Sequence, residues 1–145
     1  MLSVMVVCTG NIIRSPALAC ALVRRRPDLE VRSAAVGRNA KPGLRMKKPM
    51  REILEREGWG GYAHKHRSML LSDWLAEEEF DLIVGVTPVH MKRLAELAPG
   101  VPRILTEPTV KDPVRGGPAE YEEAWSQILR AAEWLDSRLP ERYDV

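Results

Sequence analysis

The chain has 145 residues, 45% of them hydrophobic and 29% charged, enough to bury the core of one compact domain without disulfides or a structural metal. It has two cysteines, Cys8 and Cys20, no secretory pattern at its start and no long apolar run, which argues against a disulfide framework and a membrane span and predicts a reduced, cytoplasmic setting. The net charge is +2, yet residues 1–72 carry 14 Lys/Arg against 5 Asp/Glu and residues 73–145 carry 8 against 15; the first half either draws an anionic partner or is an ordinary solvated surface.

In chain order, Leu2 and Val4 to Val7 predict a buried strand over 2–7. A loop follows, then a helix over 15–26 opened by Pro16 and closed by Arg24-Arg25-Arg26 ahead of Pro27. Cations are favourable at a helix C-terminus, so this run does not call for nucleic acid. A second strand is expected over 29–34 and a helix over 44–57, entered past Gly37, Pro42 and Gly43 and left at Gly58, Gly60 and Gly61. A short helix over 69–78, a strand over 81–86, a helix over 89–97 and a strand over 101–105 come next. Pro108, Pro113, Gly116, Gly117 and Pro118 punctuate the approach to a last helix over 119–138. With no internal repeat or linker, the alternation predicts an α/β fold: a single doubly wound, three-layer domain spanning 1–145, with a mostly parallel, four-stranded sheet and its active loops at the C-terminal edge.

The loop after the first strand, Cys8-Thr9-Gly10-Asn11-Ile12-Ile13-Arg14-Ser15-Pro16, is the most informative segment. A strand-loop-helix turn can point its amides, with the positive end of the helix, at one oxyanion. Arg14 can add two parallel charge-assisted hydrogen bonds. A thiol among such donors is stabilised as a thiolate, the nucleophilic form. Alone, Cys8 would read as a small buried hydrophobe; Gly10, Asn11, Arg14 and Ser15 at this spacing turn the reading towards catalysis. Thr9, Gly10, Ile12 and Ile13 are expected to offer backbone N–H groups. Asn11 would tolerate a positive φ and brace the loop, and Ser15 would either donate to the Cys8 sulfur or cap the helix.

Asp112 is the candidate general acid, able to protonate a leaving oxygen and then activate water, with Pro113 restricting its backbone. Asp-Pro alone is ordinary turn chemistry. His64, His66 and His90 have no cysteine-rich companions and read as surface, packing or loop-orienting residues. Trp125 and Trp134 would anchor the apolar face of the last helix, and Trp59, Tyr62, Trp74 and Tyr143 fit structural tasks.

The Cys8-to-Arg14 spacing is that of protein tyrosine phosphatases, and Cys8 through Pro16 resembles the N-terminal signature of the low molecular weight phosphotyrosine phosphatases. Ser33-Ala34, His64-Lys65-His66-Arg67, Asp81-Leu82-Ile83-Val84 and Asp112-Pro113 extend the resemblance along nearly the whole chain. It implies Cys8, Arg14 and Asp112 as the catalytic residues, Thr9 to Ser15 as the phosphate-binding loop, and Ser15 as a donor to the thiolate. It implies a metal-independent hydrolase that forms a phosphocysteine, takes a phosphotyrosyl protein or small aryl phosphate, and needs no cofactor, nucleic acid or membrane.

Three departures from the family pattern stand out. Ile13 occupies the place of a second cysteine that in many members forms a protective disulfide with the nucleophile. Val114-Arg115-Gly116-Gly117 stands where members often place aromatic residues, and 38–50 is also without an aromatic. The wall of the cleft is therefore expected to be less aromatic, with Lys41, Arg45, Lys47, Lys48, Val114 and Arg115 as residues flanking the substrate. Ile12 matches the phosphotyrosine-directed members rather than the phosphoarginine-directed ones, which carry a threonine there. Two other readings stay open: a phosphate-binding regulatory module, and an arsenate reductase, the latter weakened because residues 21–145 contain no cysteine for a disulfide relay.

Overall fold

The computed structural model describes residues 1–141, so Tyr143 lies outside the described residues. The first strand, β1 (Ser3–Cys8), is apolar at nearly every position because it is covered on both faces, as the interior strand of a parallel sheet must be. It pairs in parallel with β2 (Glu30–Ala35) on one side and β3 (Leu82–Gly85) on the other, and β3 pairs in parallel with β4 (Arg103–Leu105), giving the order β2-β1-β3-β4.

Alternation along β1 divides the core. Val4, Val6 and Cys8 face the layer built from α1 (Arg14–Arg25), α2 (Lys48–Arg56), α3 (Gly60–Lys65) and α6 (Pro118–Arg138). Met5 and Val7 face α4 (Leu71–Glu77) and α5 (Pro88–Leu97). The result is the three-layer α/β architecture that the alternation of elements predicts. Because β1 has later strands on both sides, its carboxyl end is the topological switch point of the sheet, where diverging connections leave a crevice. Cys8 is the last residue of β1 and sits at that crevice.

Several elements differ from the expected bounds for local reasons. The helix expected over 44–57 starts at Lys48, with Pro49 in its first turn, because Arg45 is held in an antiparallel bridge to Arg67. Gly60 and Gly61, expected to end that helix, instead open α3. β4 is short because Pro102 has no N–H to give and offers only its carbonyl, to the Ile83 N–H at 2.9 Å.

The arginine run closes the fold on itself. Arg26 is buried, its guanidinium donating to Asp28 at 2.9 Å, to Asp136 of α6 at 3.4 Å and to the Pro140 carbonyl at 2.6 Å, while Arg25 pairs with Asp136 at 3.2 Å. Trp125 is buried on α6 with its ring edge against Trp59, and Trp134 is half-buried under Arg138. No helix among the described residues is long and apolar enough to cross a membrane.

Candidate active site

Between the end of β1 at Cys8 and the start of α1 at Arg14, the chain must reverse its amides so that they face the crevice. It does so at Asn11, whose φ of 60° lies in the left-handed region that asparagine tolerates better than most residues. The side chain of Asn11 is fully buried and fully used. Its Nδ2 donates to Ser15 Oγ at 2.8 Å and Ser33 Oγ at 2.9 Å, and its Oδ1 accepts from the Met69 N–H at 2.9 Å.

That network orients Ser15. With Asn11 donating to its oxygen, the Ser15 hydroxyl proton is left to point at the Cys8 sulfur 3.0 Å away. The Asn11 N–H at 3.3 Å and the Ser15 N–H at 3.4 Å also donate to Sγ. Ser15 makes no capping bond and lies inside α1, whose first turn contains no acidic residue. The N–H groups of Gly10, Ile12 and Ile13 have no acceptor among the described residues. The loop is thus a ring of donors around a buried thiol, set at the positive end of a helix, an arrangement suited to a tetrahedral oxyanion.

Arg14 and Asp112 meet at the same place. The guanidinium is buried, with Nη1 donating to the Val110 carbonyl at 3.1 Å and Nη2 3.4 Å from Thr9 Oγ1 and 3.6 Å from the Asp112 carboxylate. Asp112 is exposed and steadied by the Val114 N–H, which donates to its Oδ1 at 3.1 Å, while Pro113 beside it is buried. Cys8, Thr9, Gly10, Ile12, Ile13, Arg14, Asp112 and Val114 together line a cavity of about 180 Å³. Val114 is exposed on its wall, where an aromatic residue was missing from the sequence.

Of the flanking candidates, Val114 alone lines the cavity. Lys41, Arg45, Lys47, Lys48 and Arg115 are exposed and do not line it, and Lys48 is paired to Glu52 at 3.8 Å. Cys20 is buried in α1 and burial pushes its thiol up to about 11, with Arg24 opposing, so it is a packing residue. Both cysteines are free.

Three residues support the loop through partners that the sequence does not identify. His66 Nε2 lies 2.7 Å from the Asn11 carbonyl; a carbonyl only accepts, so this nitrogen carries the proton. Burial lowers the pKa of His66, the Asn11 carbonyl opposes that shift and Arg67 adds to it. His90 is buried between two hydroxyls, Nε2 at 3.0 Å from Thr9 Oγ1 and Nδ1 at 3.1 Å from Thr87 Oγ1. Burial and then the Arg14 guanidinium push it down to about 4, against the pull of Asp112. Gly37 donates to the Thr9 carbonyl at 3.0 Å, and a Cβ at this position would lie 2.7 Å from that oxygen. Loop-orienting is one of the three roles the sequence offers for the histidines, without naming their partners, and Gly37 reads there only as a loop breaker. Their partners lie far away in sequence, where no local signal reaches.

A family model described as low molecular weight phosphotyrosine protein phosphatase matches residues 3–143. The chain is 28% identical over 148 aligned residues to the low molecular weight protein-tyrosine-phosphatase Etp of Escherichia coli K12, covering 94% of each chain. It is 35% identical to Wzb of the same organism over 101 residues, 67% of this chain and 63% of that one. Among solved structures, Vibrio vulnificus Wzb in complex with benzylphosphonate superposes with a TM-score of 0.84 at 25% identity, covering 95% of this chain and 99% of that one.

Two outcomes follow from the loop supports. Gly37→Ala forces Thr9 to give way and is expected to lower stability by about 1–3 kcal/mol, measured as a shift in urea midpoint, and to displace the cradle. For His90, the folded value of about 4 lies below the unfolded one near 6.5. The unfolded chain therefore binds more protons between these values, and His90 contributes stability that is present above pH 6.5 and is lost as pH falls towards 4. His90→Asn is expected to reduce the loss of unfolding free energy between pH 7 and pH 5 by on the order of 1–2 kcal/mol. An unchanged pH dependence would show that His90 titrates normally.

Proposed function

The chain belongs to the low molecular weight phosphotyrosine protein phosphatase family, and from that premise we propose that it hydrolyses aryl phosphate monoesters, phosphotyrosyl proteins first, through a phosphocysteine. The observation that carries this reading is the convergence of three hydrogen-bond donors on the Cys8 sulfur within a cavity shared with Arg14 and Asp112.

In the first step the Cys8 thiolate attacks phosphorus, and the bond to the phenolic oxygen breaks with its electron pair leaving on that oxygen. Asp112, carrying a proton, delivers it to the departing oxygen. Arg14 and the N–H groups of the loop hold the equatorial oxygens, where charge builds up in the transition state. In the second step a water molecule attacks phosphorus while the Asp112 carboxylate takes its proton. The sulfur–phosphorus bond breaks with its electron pair returning to the Cys8 sulfur, and the Ser15 hydroxyl stabilises the thiolate by donating a hydrogen bond to it. Ser15 is placed for this by its 3.0 Å contact with Sγ.

Substrate preference follows from the walls. Ile12 and Val114 offer apolar contact to an aromatic ring without the flat stacking surface a second aromatic would give. The Vibrio relative forms a complex with benzylphosphonate, a ring on a phosphorus group, and the same class of ligand is inferred here.

Cys8→Ser is expected to lower kcat on a small aryl phosphate by at least about a thousandfold, assayed under reducing conditions with a chelator present, while inorganic phosphate still binds. Normal turnover by this variant would rule out the covalent route. Asp112→Ala is expected to cost about 10²–10⁴ in kcat for substrates with poor leaving groups and much less for nitrophenolate-like ones. A loss independent of leaving-group pKa would assign the acid elsewhere.

A further inference from the structure

Two segments that wrap the Asn11–Ile12 side of the loop, residues 31–51 and 58–72, contain no aspartate or glutamate. They are stitched to each other by the Arg45–Arg67 bridge, by the Gly43 N–H donating to the Ser68 carbonyl at 2.8 Å and by the Ser68 N–H donating to the Leu44 carbonyl at 2.7 Å. They are also stitched to the phosphate cradle. The Lys47 N–H donates to the Ile12 carbonyl at 2.9 Å, and His66 and Met69 both bond Asn11.

Within these segments Arg32, Arg38 and Lys48 pair with Glu30, Glu96 and Glu52; the remaining cations are poorly neutralised. Lys41, Arg45, Lys47 and Lys65 are exposed and have no carboxylate partner among the described residues. The Arg67 guanidinium donates only to the carbonyls of His64 and His66, at 2.9 and 2.7 Å. Arg45 and Arg67 stand directly opposite each other across their bridge, an arrangement of like charges that costs stability in an isolated protein. Outside these two segments the same chain pairs its surface arginines, as with Arg25 on Asp136 and Arg56 on Glu122. Local rules broken beside a site, and kept away from it, point to a ligand that completes the charge pattern.

Resting on the phosphatase reading above, we infer that this rim selects phosphoprotein segments with acidic residues flanking the phosphorylated one. An extended peptide advances about 3.3 Å per residue, and the rim lies next to the cradle in the chain's own bonding, Lys47 on Ile12 and Arg45 opposite Arg67, so flanking carboxylates are proposed to meet it. Exposed ion pairs are individually weak, and several together give selectivity and faster encounter rather than tight binding. The small apolar wall leaves the ring itself with less binding energy, so the flank carries a larger share of recognition.

The test compares one phosphotyrosyl peptide carrying glutamates on both sides with its serine-flanked counterpart and with a small aryl phosphate. In the wild type, kcat/KM for the acidic peptide is expected to exceed that for the neutral peptide by about five- to tenfold at low salt, and the ratio should shrink as ionic strength rises. The double variant Arg45→Glu, Lys47→Glu is expected to abolish or invert the ratio. Equal turnover of the two peptides by the wild type, or a ratio that persists in the double variant, overturns the proposal. Binding of the same peptides to Cys8→Ser protein, followed by fluorescence anisotropy, reads the preference without turnover. Failure on every substrate, the aryl phosphate included, therefore counts against the catalytic reading and leaves the flank preference to be decided by anisotropy. Cosedimentation with phosphatidylserine vesicles that requires Arg45 and Lys47, without any peptide preference, would assign the rim to a membrane surface and overturn the proposal.

Discussion

The site depends on one residue turned into the left-handed region. A non-glycine residue there costs roughly 1–2 kcal/mol, and only surroundings that over-determine the conformation keep it populated. At Asn11 they do. Its amide side chain and carbonyl reach Ser15 in α1, Ser33 in β2, Met69 before α4 and His66 after α3. Hydrogen bonds net about 0.5–1.5 kcal/mol each, so four of them more than offset the strain. Glycine would turn as readily and would lose the side-chain bonds; a β-branched residue would resist the turn. The same bonds that hold Asn11 assign the proton of Ser15, so backbone strain and the environment of the sulfur are one problem with one solution.

Arg14 carries that order from the loop to the acid. Its fork joins the first turn of α1 to the Val110 carbonyl and to the neighbourhood of Asp112, close to a hundred residues later in the sequence. The acid loop is itself tied down, Val110 by its N–H to the Val86 carbonyl, Lys111 by its N–H to the Gln127 side chain, and Gly116 by its N–H to the Pro113 carbonyl. The proposed nucleophile and acid, Cys8 and Asp112, lie far apart in sequence, and the acid loop is held by bonds to Val86 just after β3 and to Gln127 of α6. Preorganisation of this kind lets the donors act on a transition state without reorganising first. His90 belongs to the same machinery. It stays neutral beside a guanidinium, and so positions Thr9 without adding a second cation that would compete with Arg14 for the anion.

The sheet, the cradle and its principal side chains were legible in the sequence because each is a local pattern. An apolar run before a glycine-bearing turn and a helix start defines β1, the loop and α1 within the first 25 residues. Asp112-Pro113 was legible only by resemblance, since the pair is common turn chemistry. What escaped is whatever depends on tertiary contact. Gly37 looks like loop punctuation, yet its missing Cβ matters because Thr9 packs on it. The glycines after Gly58 look like a helix exit, yet the chain re-enters a helix at Gly60, which places His66 over Asn11. Lys48 looked like the other rim cations and instead pairs along its own helix with Glu52.

The altered wall and the basic rim are better understood together than apart. A phosphatase that surrounds an aryl ring with other rings gains binding energy from any aryl phosphate, whatever carries it. Here the cavity wall includes two β-branched aliphatic side chains, Ile12 and Val114, the latter half open to water. In the proposed reaction Cys8, Arg14 and Asp112 act on phosphorus and its leaving oxygen, so the covalent chemistry does not call on the wall. What is lost is undiscriminating affinity. Binding energy contributed by parts of a substrate remote from the reacting bond can be used to orient that bond. An acid-free rim anchored to the backbone of Asn11 and Ile12 is well placed to couple the two, since any carboxylate drawn to Arg45 or Lys47 pulls on the same segment that positions the cradle. The proposed acidic-flank preference thus shifts specificity from the ring to its neighbours and leaves the proposed reaction at the cradle unchanged.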